Sequence, residues 1–335
     1  MLGSTMPRKL LDAITDVPGI KVGHWTDRRA ATGCTVVLYE PGAMPGVDVR
    51  GAAPGTHETD LLRPGYAAQA LHAVVLTGGS LFGIASIAGV VRWCEEQGVG
   101  IVFGRQRIPI VSGAVVFDLN TGRPDVRPTS DSGYAAAVAA KAGRVVEGSV
   151  GAGTGATVAK LMGANRSLKS GIGTASEALD DGIVVGAIVA VNAVGDIVDS
   201  RDGSIVAAPR GESDAFLDTM AGLRAGSRRQ ANAVSEGNTT IGVVATNAKL
   251  TKEQANRLAT IAHDGFARAI RPVHTSADGD TVFAMATGEV DISPGRIIAL
   301  EAFAALAVER AIVKGVLAAK SLAGVPSVSE WRSSR

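Results

Sequence analysis

The sequence predicts an α/β protein in which a mixed β-sheet is layered with helices. Short apolar runs that suit buried strands alternate with stretches of helical periodicity along most of the 335 residues. Several neighbouring strands are separated by turn residues and look hairpin-paired, which favours a mixed sheet over a purely parallel one. Hydrophobic residues make up 46% of the chain and aromatic residues only 4%, so we expect a core of close backbones and small aliphatic side chains.

The first third of the chain is predicted to consist mainly of short strands joined by glycine and proline turns. We predict a turn and strand at 14–22 and further strands at 34–39, 73–76, 101–103 and 114–118. A short helix is expected at 64–70. A longer helix is expected after the turn at Gly78-Gly79-Ser80 and ends near Glu96.

The middle of the chain is predicted to combine helices with a hairpin. An Ala-rich helix is expected at 134–142, and a glycine loop at 151–156 is expected to run into a helix that reaches Met162. The apolar runs 183–191 and 197–199 flank a short turn and predict a β-hairpin.

The last third opens with a polar segment, residues 209–237, which is rich in Gly, Ser and Arg and ends abruptly. A strand from Thr240, a helix at 252–269, a strand at 281–287 and a long helix at 297–319 follow. Charged residues interrupt the last helix at helical spacing, which suits an amphipathic or interface helix.

The composition argues against several classes of function. The net charge of +1 offers no electrostatic surface for nucleic acid or anionic membranes, so neither is expected as a partner. No apolar run reaches the roughly eighteen residues that a membrane helix needs, and the basic residues Arg8 and Lys9 are not followed by the apolar core of a secretory signal. Cys34 and Cys94 are isolated and lack metal-type spacing, which favours a cytoplasmic location.

The strongest candidate for chemistry is Gly237-Asn238-Thr239-Thr240, where two hydroxyl residues open a buried strand. A hydroxyl at the first strand position can attack the carbonyl just before it, and an N→O acyl shift followed by hydrolysis leaves a new N-terminal Thr. Such a residue has both a nucleophile and a base, since an α-amine has a pKa of about 7.7–8.0, against about 10.4 for a lysine. The alternative is a loop that enters a strand, with Asn and Thr as turn residues.

Ser80 is a second candidate nucleophile. It lies in the sequence GGSLF, close to the G-x-S-x-G pattern of a nucleophile elbow, although Phe82 replaces the final glycine. His263 and His274 are possible bases further along the chain. The alternative is that Ser80 caps the helix that begins at Leu81.

The glycine loop from Gly151 to Ala156 matches the dinucleotide fingerprint G-x-G-x-x-A, with Glu177 as a possible ribose ligand. The match is weak because the chain has 42 glycines and Glu177 is predicted to lie in a loop. A nucleotide-binding oxidoreductase is therefore one alternative function, and a non-enzymatic assembly protein is another. Lys160, on the helix predicted after this loop, is either a surface charge or a group that orients a nucleophile.

Two acidic clusters are candidates for ligands or catalysis. His57, Glu58 and Asp60 look like metal ligands, but adjacent residues of an extended chain point to opposite faces, so loop hydrogen bonds are expected instead. Asp278 and Asp280 are separated by one glycine and point the same way if extended, so both can approach one reacting group. A metal site or a plain turn is the alternative for this pair, which has no companion histidines at ligand spacing.

Together these segments resemble the P1 family of self-processing peptidases, which includes L-aminopeptidase/D-esterases, β-aminopeptidases and nylon-oligomer (6-aminohexanoate-oligomer) hydrolases. The resemblance covers nearly the whole chain from Ile14 to the last helix. Its markers, in order, are RGAAPGT at 50–56, LTGGS at 76–80, GAGTGA at 151–156 and GNTT at 237–240.

The resemblance implies a fold and a maturation step. The fold is a four-layered αββα sandwich like that of N-terminal nucleophile hydrolases, formed here by a single catalytic domain of residues 1–335. The implied cut lies between Asn238 and Thr239 and gives an α chain of 1–238 and a β chain of 239–335, with Thr239 as the nucleophile. The segment 209–237 is then expected to be a flexible linker before the cut.

The resemblance also implies the other site residues. Lys160, Asn192, Asp278 and Asp280 fall where the nylon-oligomer hydrolases have a catalytic lysine, asparagine and paired aspartates, whereas the aminopeptidase branch has a Ser nucleophile with Ser and Glu at the aspartate positions. Asn192 is expected to donate to the developing oxyanion. Phe117 stands at a substrate-contacting position where the family pattern has Tyr, so a hydroxyl contact is lost.

We therefore expect a self-cleaving N-terminal-threonine amidohydrolase that needs no metal or organic cofactor. Its substrates are expected to be small amides such as 6-aminohexanoate oligomers or the amino-terminal residues of short peptides. β-Peptidyl or L-/D-aminopeptidase activity is the alternative. The apolar last helix suggests a homotetramer of α/β pairs.

Overall fold

A computed structural model describes residues 10–212, 215–226 and 237–333. The strands are β1 (Lys21–Asp27), β2 (Thr32–Val49), β3 (Thr56–His57), β4 (Leu71–Thr77), β5 (Ile101–Phe103), β6 (Gln106–Ile108), β7 (Val111–Val115), β8 (Thr157–Val158), β9 (Leu168–Lys169), β10 (Ile172–Ala178), β11 (Val184–Asn192), β12 (Asp196–Asp199), β13 (Ser204–Ala207), β14 (Thr239–Lys249), β15 (Ile270–Arg271) and β16 (Thr281–Asp291). The helices are α1 (Ala85–Glu96), α2 (Ser130–Val138), α3 (Thr219–Ala225), α4 (Lys252–Ala269), α5 (Pro294–Leu317) and α6 (Val328–Ser333).

The long strand β2 joins two half-sheets. Its first part pairs with β1 and β4, a register shift separates Leu38 from Ala43, and its last part pairs with β16. The first half-sheet therefore contains β1, β4, β7 and β3, and the second contains β10, β11, β14 and β16. The pairs β14–β16 and β4–β7 are parallel and the others are antiparallel, which confirms the predicted mixed sheet.

Alternating side chains place one core between the half-sheets and one on each outer face. On β14, Ile241, Val243 and Ala245 face the inner core, together with Val37 and Val74 of the first half-sheet. Val244 of the same strand instead packs against the helix side, as the two-residue period of a strand requires.

Helices cover both outer faces. Helices α1 and α2 pack on the first half-sheet, and α4 and α5 pack on the second. The order is therefore helix, sheet, sheet, helix, which confirms the four-layered αββα sandwich. Helix α4 has the predicted bounds because Thr251 accepts a hydrogen bond from the Gln254 N–H and Gln254 Oε1 accepts one from the Thr251 N–H.

The last long helix, α5, packs within the chain. Leu300, Ala304, Val308 and Ile312 on one face are buried against the second half-sheet and α4. The apolar character that suggested a tetramer is thus largely satisfied inside one chain. None of the helices in the described part of the chain combines the length and apolar character that a bilayer span requires.

Three predicted elements are wrong. Residues 64–70 form turns after a 3-10 turn at Asp60–Leu62, because Gly65 adopts a positive φ that breaks a helix. The glycine loop leads into β8 rather than a helix, so Lys160 is not helical. The predicted hairpin is absent because β11 pairs with β10 and β14, whereas the strand at 196–199, β12, pairs with β13 and β15.

Smaller differences concern element ends. Glu177, predicted in a loop, lies in β10. The Ala-rich helix runs over Ser130–Val138 rather than 134–142. The predicted linker, 209–237, contains α3 and a bridge between Arg210 and Phe216. Its residues 213–214 and 227–236 lie outside the described part of the chain.

Candidate active site

Thr239 is the first residue of β14 and is buried in the centre of the second half-sheet. It lies opposite Asn192, the last residue of β11, in the antiparallel register of the two strands. The Thr239 hydroxyl donates a 2.5 Å hydrogen bond to the carbonyl oxygen of Asn238. The predicted nucleophile is therefore in contact with the carbonyl of the peptide bond that precedes it.

The same carbonyl accepts a second hydrogen bond from the backbone. The Gly279 N–H donates to the Asn238 oxygen over 2.9 Å. A Cβ at position 279 would lie 2.8 Å from Thr239 Oγ1 and 2.6 Å from the Ala53 oxygen, so only glycine fits. A role for Gly279 was not predicted from the sequence, where its position between Asp278 and Asp280 is the one signal that points to it. The Asn238 carbonyl is thus polarised from two directions, as an oxyanion site requires.

Lys160 and Asn192 form a buried pair next to the same segment. Lys160 Nζ donates to Asn192 Oδ1 at 2.8 Å and to the Asn192 carbonyl at 3.0 Å, and it reaches the Gly237 carbonyl at 3.4 Å. The Thr157 N–H also donates to Asn192 Oδ1. Asn192 Nδ2 donates to the Phe117 carbonyl. In this arrangement Asn192 contacts Lys160 through both of its oxygens and the Phe117 carbonyl through Nδ2, and its role as an oxyanion donor stays a prediction.

The two aspartates approach the nucleophile through the backbone. Asp280 Oδ1 accepts a 2.7 Å hydrogen bond from the Thr240 N–H, one residue after the nucleophile. Asp278 Oδ2 accepts hydrogen bonds from the Thr275 N–H and hydroxyl. Burial, and then the nearby charge of Asp280, raises the pKa of Asp278 above its usual range. The Asp280 carboxylate thus lies beside Thr240 and that of Asp278 beside Thr275, and the action of the pair on one reacting group stays a prediction.

The two histidines lie behind Asp280 and do not serve Ser80. His274 Nδ1 lies 2.8 Å from Asp280 Oδ2, and the His274 N–H donates to the same oxygen. The ring of His263 packs edge-on against His274 with centroids 4.8 Å apart, and its Nε2 donates to the Asp48 carbonyl. Burial lowers the pKa of His263 to about 4, so this imidazole is neutral.

Ser80 lines the same cavity as Thr239 without the contacts of a nucleophile elbow. It begins a 3-10 turn, Ser80–Ile84, at a positive φ of 50°, and its N–H donates to the Val116 carbonyl. The cap position of this turn belongs to Gly79 and makes no side-chain hydrogen bond, so Ser80 is not the predicted helix cap either. Its side chain instead lines the cavity that contains Thr239.

Two cavities flank the segment before Thr239. One, of about 370 Å³, is lined by Thr239, Ser80 and Leu81 among others. The second, of about 410 Å³, contains Lys160. Phe117 lines both, and its ring packs on Gly237 so closely that a Cβ there would lie 2.3 Å from Phe117 Cγ. Phe117 therefore forms the wall between the two cavities.

The glycine loop holds a lysine rather than presenting amides to a phosphate. Buried Lys169 Nζ donates to the carbonyls of Gly153, Ala156 and Ser170 at 3.1, 2.7 and 2.5 Å. Burial lowers the pKa of Lys169 to about 7. Glu177, the predicted ribose ligand, is paired with Arg310. Without a helix after the loop, this arrangement does not suit a dinucleotide.

The residues that looked like metal ligands have other contacts. Asp60 forms an ion pair with Arg63 at 3.6 Å. The carbonyl of His57 accepts a hydrogen bond from the Ser112 hydroxyl as part of the pairing of β3 with β7. Within the described ranges no group of three or more His, Cys, Asp or Glu side chains converges on a metal site.

Comparison with solved structures identifies the class of protein. The chain is similar to an L-aminopeptidase D-Ala-esterase/amidase from Ochrobactrum anthropi, a variant of the N-terminal nucleophile (Ntn) hydrolase fold, with a TM-score of 0.71 and 22% identity over 94% of this chain and 88% of that chain. The αββα sandwich is thus the Ntn-hydrolase fold.

Sequence comparison then identifies the family. Residues 12–328 match the model of peptidase family S58, and the chain belongs to this family. It is 43% identical over 344 residues to an uncharacterised aminopeptidase of Mycobacterium leprae, covering 95% of this chain and 93% of the relative. It is 34% identical over 287 residues to a 6-aminohexanoate-oligomer endohydrolase of Paenarthrobacter ureafaciens, covering 84% and 77%.

These comparisons confirm the resemblance to the self-processing peptidases, and the protein is an amide-bond hydrolase of the Ntn type. The two alternatives, a nucleotide-binding oxidoreductase and a non-enzymatic assembly protein, are set aside by the same findings.

Proposed function

We propose that this chain cleaves its own backbone between Asn238 and Thr239 and then hydrolyses small amides through Thr239. The observation that carries the proposal is the contact of the Thr239 hydroxyl with the Asn238 carbonyl oxygen, which also accepts the Gly279 N–H. The nucleophile and electrophile are adjacent in the chain, and the pairing of Asn238 with Asp278 brings the oxyanion donor Gly279 beside them. Such pre-positioning supplies roughly 7–11 kcal/mol toward a reaction barrier.

Self-cleavage proceeds by an acyl shift. Thr239 Oγ1 attacks the Asn238 carbonyl carbon and its proton is passed to the Thr239 nitrogen, while the Gly279 N–H stabilises the negative charge on the carbonyl oxygen. The C–N bond then breaks, and an ester joins Asn238 to Thr239 Oγ1. Water hydrolyses this ester and leaves a carboxylate on Asn238 and a free α-amine on Thr239.

The mature enzyme repeats this chemistry on an external amide. The α-amine of Thr239 or Lys160 takes the proton of the hydroxyl and returns it to the leaving amine. Asn192 keeps Lys160 in position through two hydrogen bonds, and Asp280 fixes the start of β14 through Thr240. The acyl group is transferred to Thr239 Oγ1 and released by water.

The substrates proposed are small, extended amides. The two cavities, of about 370 and 410 Å³, suit a thin chain and exclude a folded protein. The endohydrolase among the relatives acts on 6-aminohexanoate oligomers by its name, and these oligomers are the first substrates to assay. L-/D-Aminopeptidase or β-peptidyl activity is the second candidate, supported by the aminopeptidase relative. A cytoplasmic homotetramer of α/β pairs is proposed on the apolar residues of α5 that stay exposed in one chain, Ile298, Phe303 and Leu317.

A denaturing gel with intact-mass measurement tests the maturation step. Purified protein of 34.0 kDa should yield chains of about 24 and 10 kDa, in proportion to residues 1–238 and 239–335. The small chain should begin Thr-Thr-Ile-Gly. Thr239→Ala should stay intact and inactive because it lacks the hydroxyl for both reactions.

The neighbouring threonine provides a matched control. The Thr240 hydroxyl is buried without a hydrogen-bond partner, so Thr240→Val should preserve the fold and still cleave. A small chain that begins at Thr240, or an intact wild-type chain after prolonged incubation, would contradict the assignment of Thr239.

A further inference from the structure

A third cavity, of about 260 Å³, lies between β1, the end of α2 and the loop at 141–150 that follows this helix. Among the residues that the structure describes, it shares no lining residue with the two cavities beside Thr239. Val22 and Lys141 exchange two backbone hydrogen bonds, which hold the loop against β1. The chemistry of this cavity is therefore separate from the proposed reaction.

The imidazole of His24 has a proton without an acceptor. Burial lowers the pKa of His24 to about 4, against a smaller opposite effect of the Val146 carbonyl, so the ring is neutral. Thr35 Oγ1 accepts the Ala152 N–H, and its own proton goes to His24 Nδ1 at 2.9 Å, its other partner among the described residues. The proton of the ring is then on Nε2, which is buried without a hydrogen-bond partner in the described part of the chain. An acceptor in the cavity would satisfy this N–H.

The glycine loop decides which edge of the ring faces the cavity. A Cβ at Gly151 would lie 2.5 Å from His24 Nδ1 and 2.2 Å from Thr35 Oγ1, so the Nδ1 edge packs directly on this glycine. The Nε2 edge points away from Gly151, toward the cavity that His24 lines. The Gly151 N–H donates to Thr26 Oγ1 over 2.8 Å, which leaves the Thr26 hydroxyl proton for an acceptor in the same cavity. His24 and Thr26 thus provide two donors from one face of β1.

Two cations lie beside these donors without a carboxylate partner. Lys141 and Arg144 line the cavity, are exposed, and form no ion pair with another described residue. Glu147, the acidic residue nearest to them in the sequence, accepts the Thr174 N–H and pairs with Lys314. The positive charge at this cavity is therefore left for a ligand.

The other lining residues are apolar, apart from Gly23: Val22, Ala139, Val145, Val146 and Val150. We propose that this cavity is a binding site for a small organic anion, a carboxylate on a short apolar chain. The carboxylate accepts hydrogen bonds from His24 Nε2 and the Thr26 hydroxyl and is paired with Lys141 and Arg144. The chain of the ligand packs on the valines. Phosphate offers the same cations an anion but has no apolar part to bury on these walls, so a carboxylate is the better ligand.

Calorimetric titration of the purified wild-type protein tests the class of ligand. The probes are sodium hexanoate, hexan-1-ol and sodium phosphate at one ionic strength. We expect saturable binding of hexanoate, and binding of the alcohol and of phosphate that is at least about tenfold weaker. Equal or tighter binding of either of these two probes, or no binding of hexanoate, overturns the proposal.

Charge variants and the spectrum of His24 test the place of binding. The double variant Lys141→Gln/Arg144→Gln should weaken hexanoate binding at least about tenfold. The control Arg105→Gln/Arg107→Gln removes the same charge from exposed residues of the β5–β6 hairpin outside this cavity, and should bind as the wild type does. In protein labelled with ¹⁵N-histidine, hexanoate should shift the Nε2–H signal of His24, which is identified by its loss in His24→Gln. Equal affinity in the two double variants, or an unchanged His24 signal at saturation, would place the anion elsewhere and overturn the proposal.

Discussion

Two buried lysines, nine residues apart, have different roles because their partners differ. Lys160 and Lys169 are both buried, and each donates hydrogen bonds to at least three oxygens of the described residues. The partners of Lys169 are all carbonyls in or beside the glycine loop, whereas Lys160 contacts Asn192 and the Gly237 carbonyl of the segment before the cut. Burial and residue type are the same, so the partners decide the role. Lys169 holds the loop, and Lys160 contacts the segment where we propose that the reaction takes place.

The largest expected effect is on the rate of reaction when Lys160 is changed. Lys160→Met should slow self-cleavage and amide hydrolysis by about 10² or more, because the lysine handles the proton of the hydroxyl or keeps it in place. Gel densitometry over time and p-nitroanilide turnover measure the two rates. Lys160→Arg separates the two explanations, since arginine can donate hydrogen bonds but cannot accept the proton. If Lys160→Met leaves both rates unchanged, Lys160 has only a structural role, like Lys169.

The second effect is on stability when Lys169 is changed. Lys169→Met removes the ammonium donor from three buried carbonyls, of which that of Ala156 keeps the Ser170 N–H, and should lower the free energy of unfolding by about 3 kcal/mol. Urea denaturation measures this free energy of unfolding. Both proteins that are compared, with Lys169 and with Lys169→Met, also carry Thr239→Ala so that neither is cleaved. With Thr239 intact, Lys169→Met should still self-cleave at the wild-type rate, since Lys169 is expected to act on stability and Lys160 on the reaction.

The pH dependence of the free energy of unfolding tests the structural role of Lys169. Burial lowers its pKa in the folded state to about 7 from 10.5, so between these pH values the unfolded chain binds more protons than the folded chain. The stability that depends on Lys169 should therefore rise with pH above 7, by up to about 1.4 kcal/mol per pH unit. The difference in unfolding free energy between the wild-type lysine and Lys169→Met should widen from pH 7 to pH 9. A constant difference would mean that Lys169 does not change its protonation in this range.

The smallest effect is expected at His274, which contacts the reaction only through Asp280. His274→Leu removes the side-chain contact to Asp280 Oδ2 but keeps the backbone N–H, and it should lower kcat about tenfold with KM nearly unchanged, because the start of β14 is held less firmly. His274→Asn keeps a side-chain donor, tolerates the positive φ of 54° at this position, and should recover most of the activity. An increase in KM alone would place His274 in substrate binding instead.

Sequence patterns correctly predicted the helices and strands whose ends are set by residues close together in the chain. The capping residues Thr251 and Gln254 and the apolar spacing that follows them give α4 its predicted bounds. The abrupt change from polar to apolar residues at 237–240 marks the start of β14 to within one residue. The predicted helix after the glycine loop failed because Ala159 and Lys160 donate backbone hydrogen bonds to Gly195 and Val194, partners more than thirty residues away.

By itself, the sequence determined that a hydroxyl residue opens a buried strand after a polar segment, and that two aspartates lie one glycine apart before another strand. Only the tertiary structure decided that these features meet. The parallel pairing of β14 with β16 brings Gly279 beside Asn238, forty residues earlier, and makes its N–H the donor to the carbonyl. Hydrophobic periodicity reports which face of a strand is buried but contains no information on which strand lies next to it.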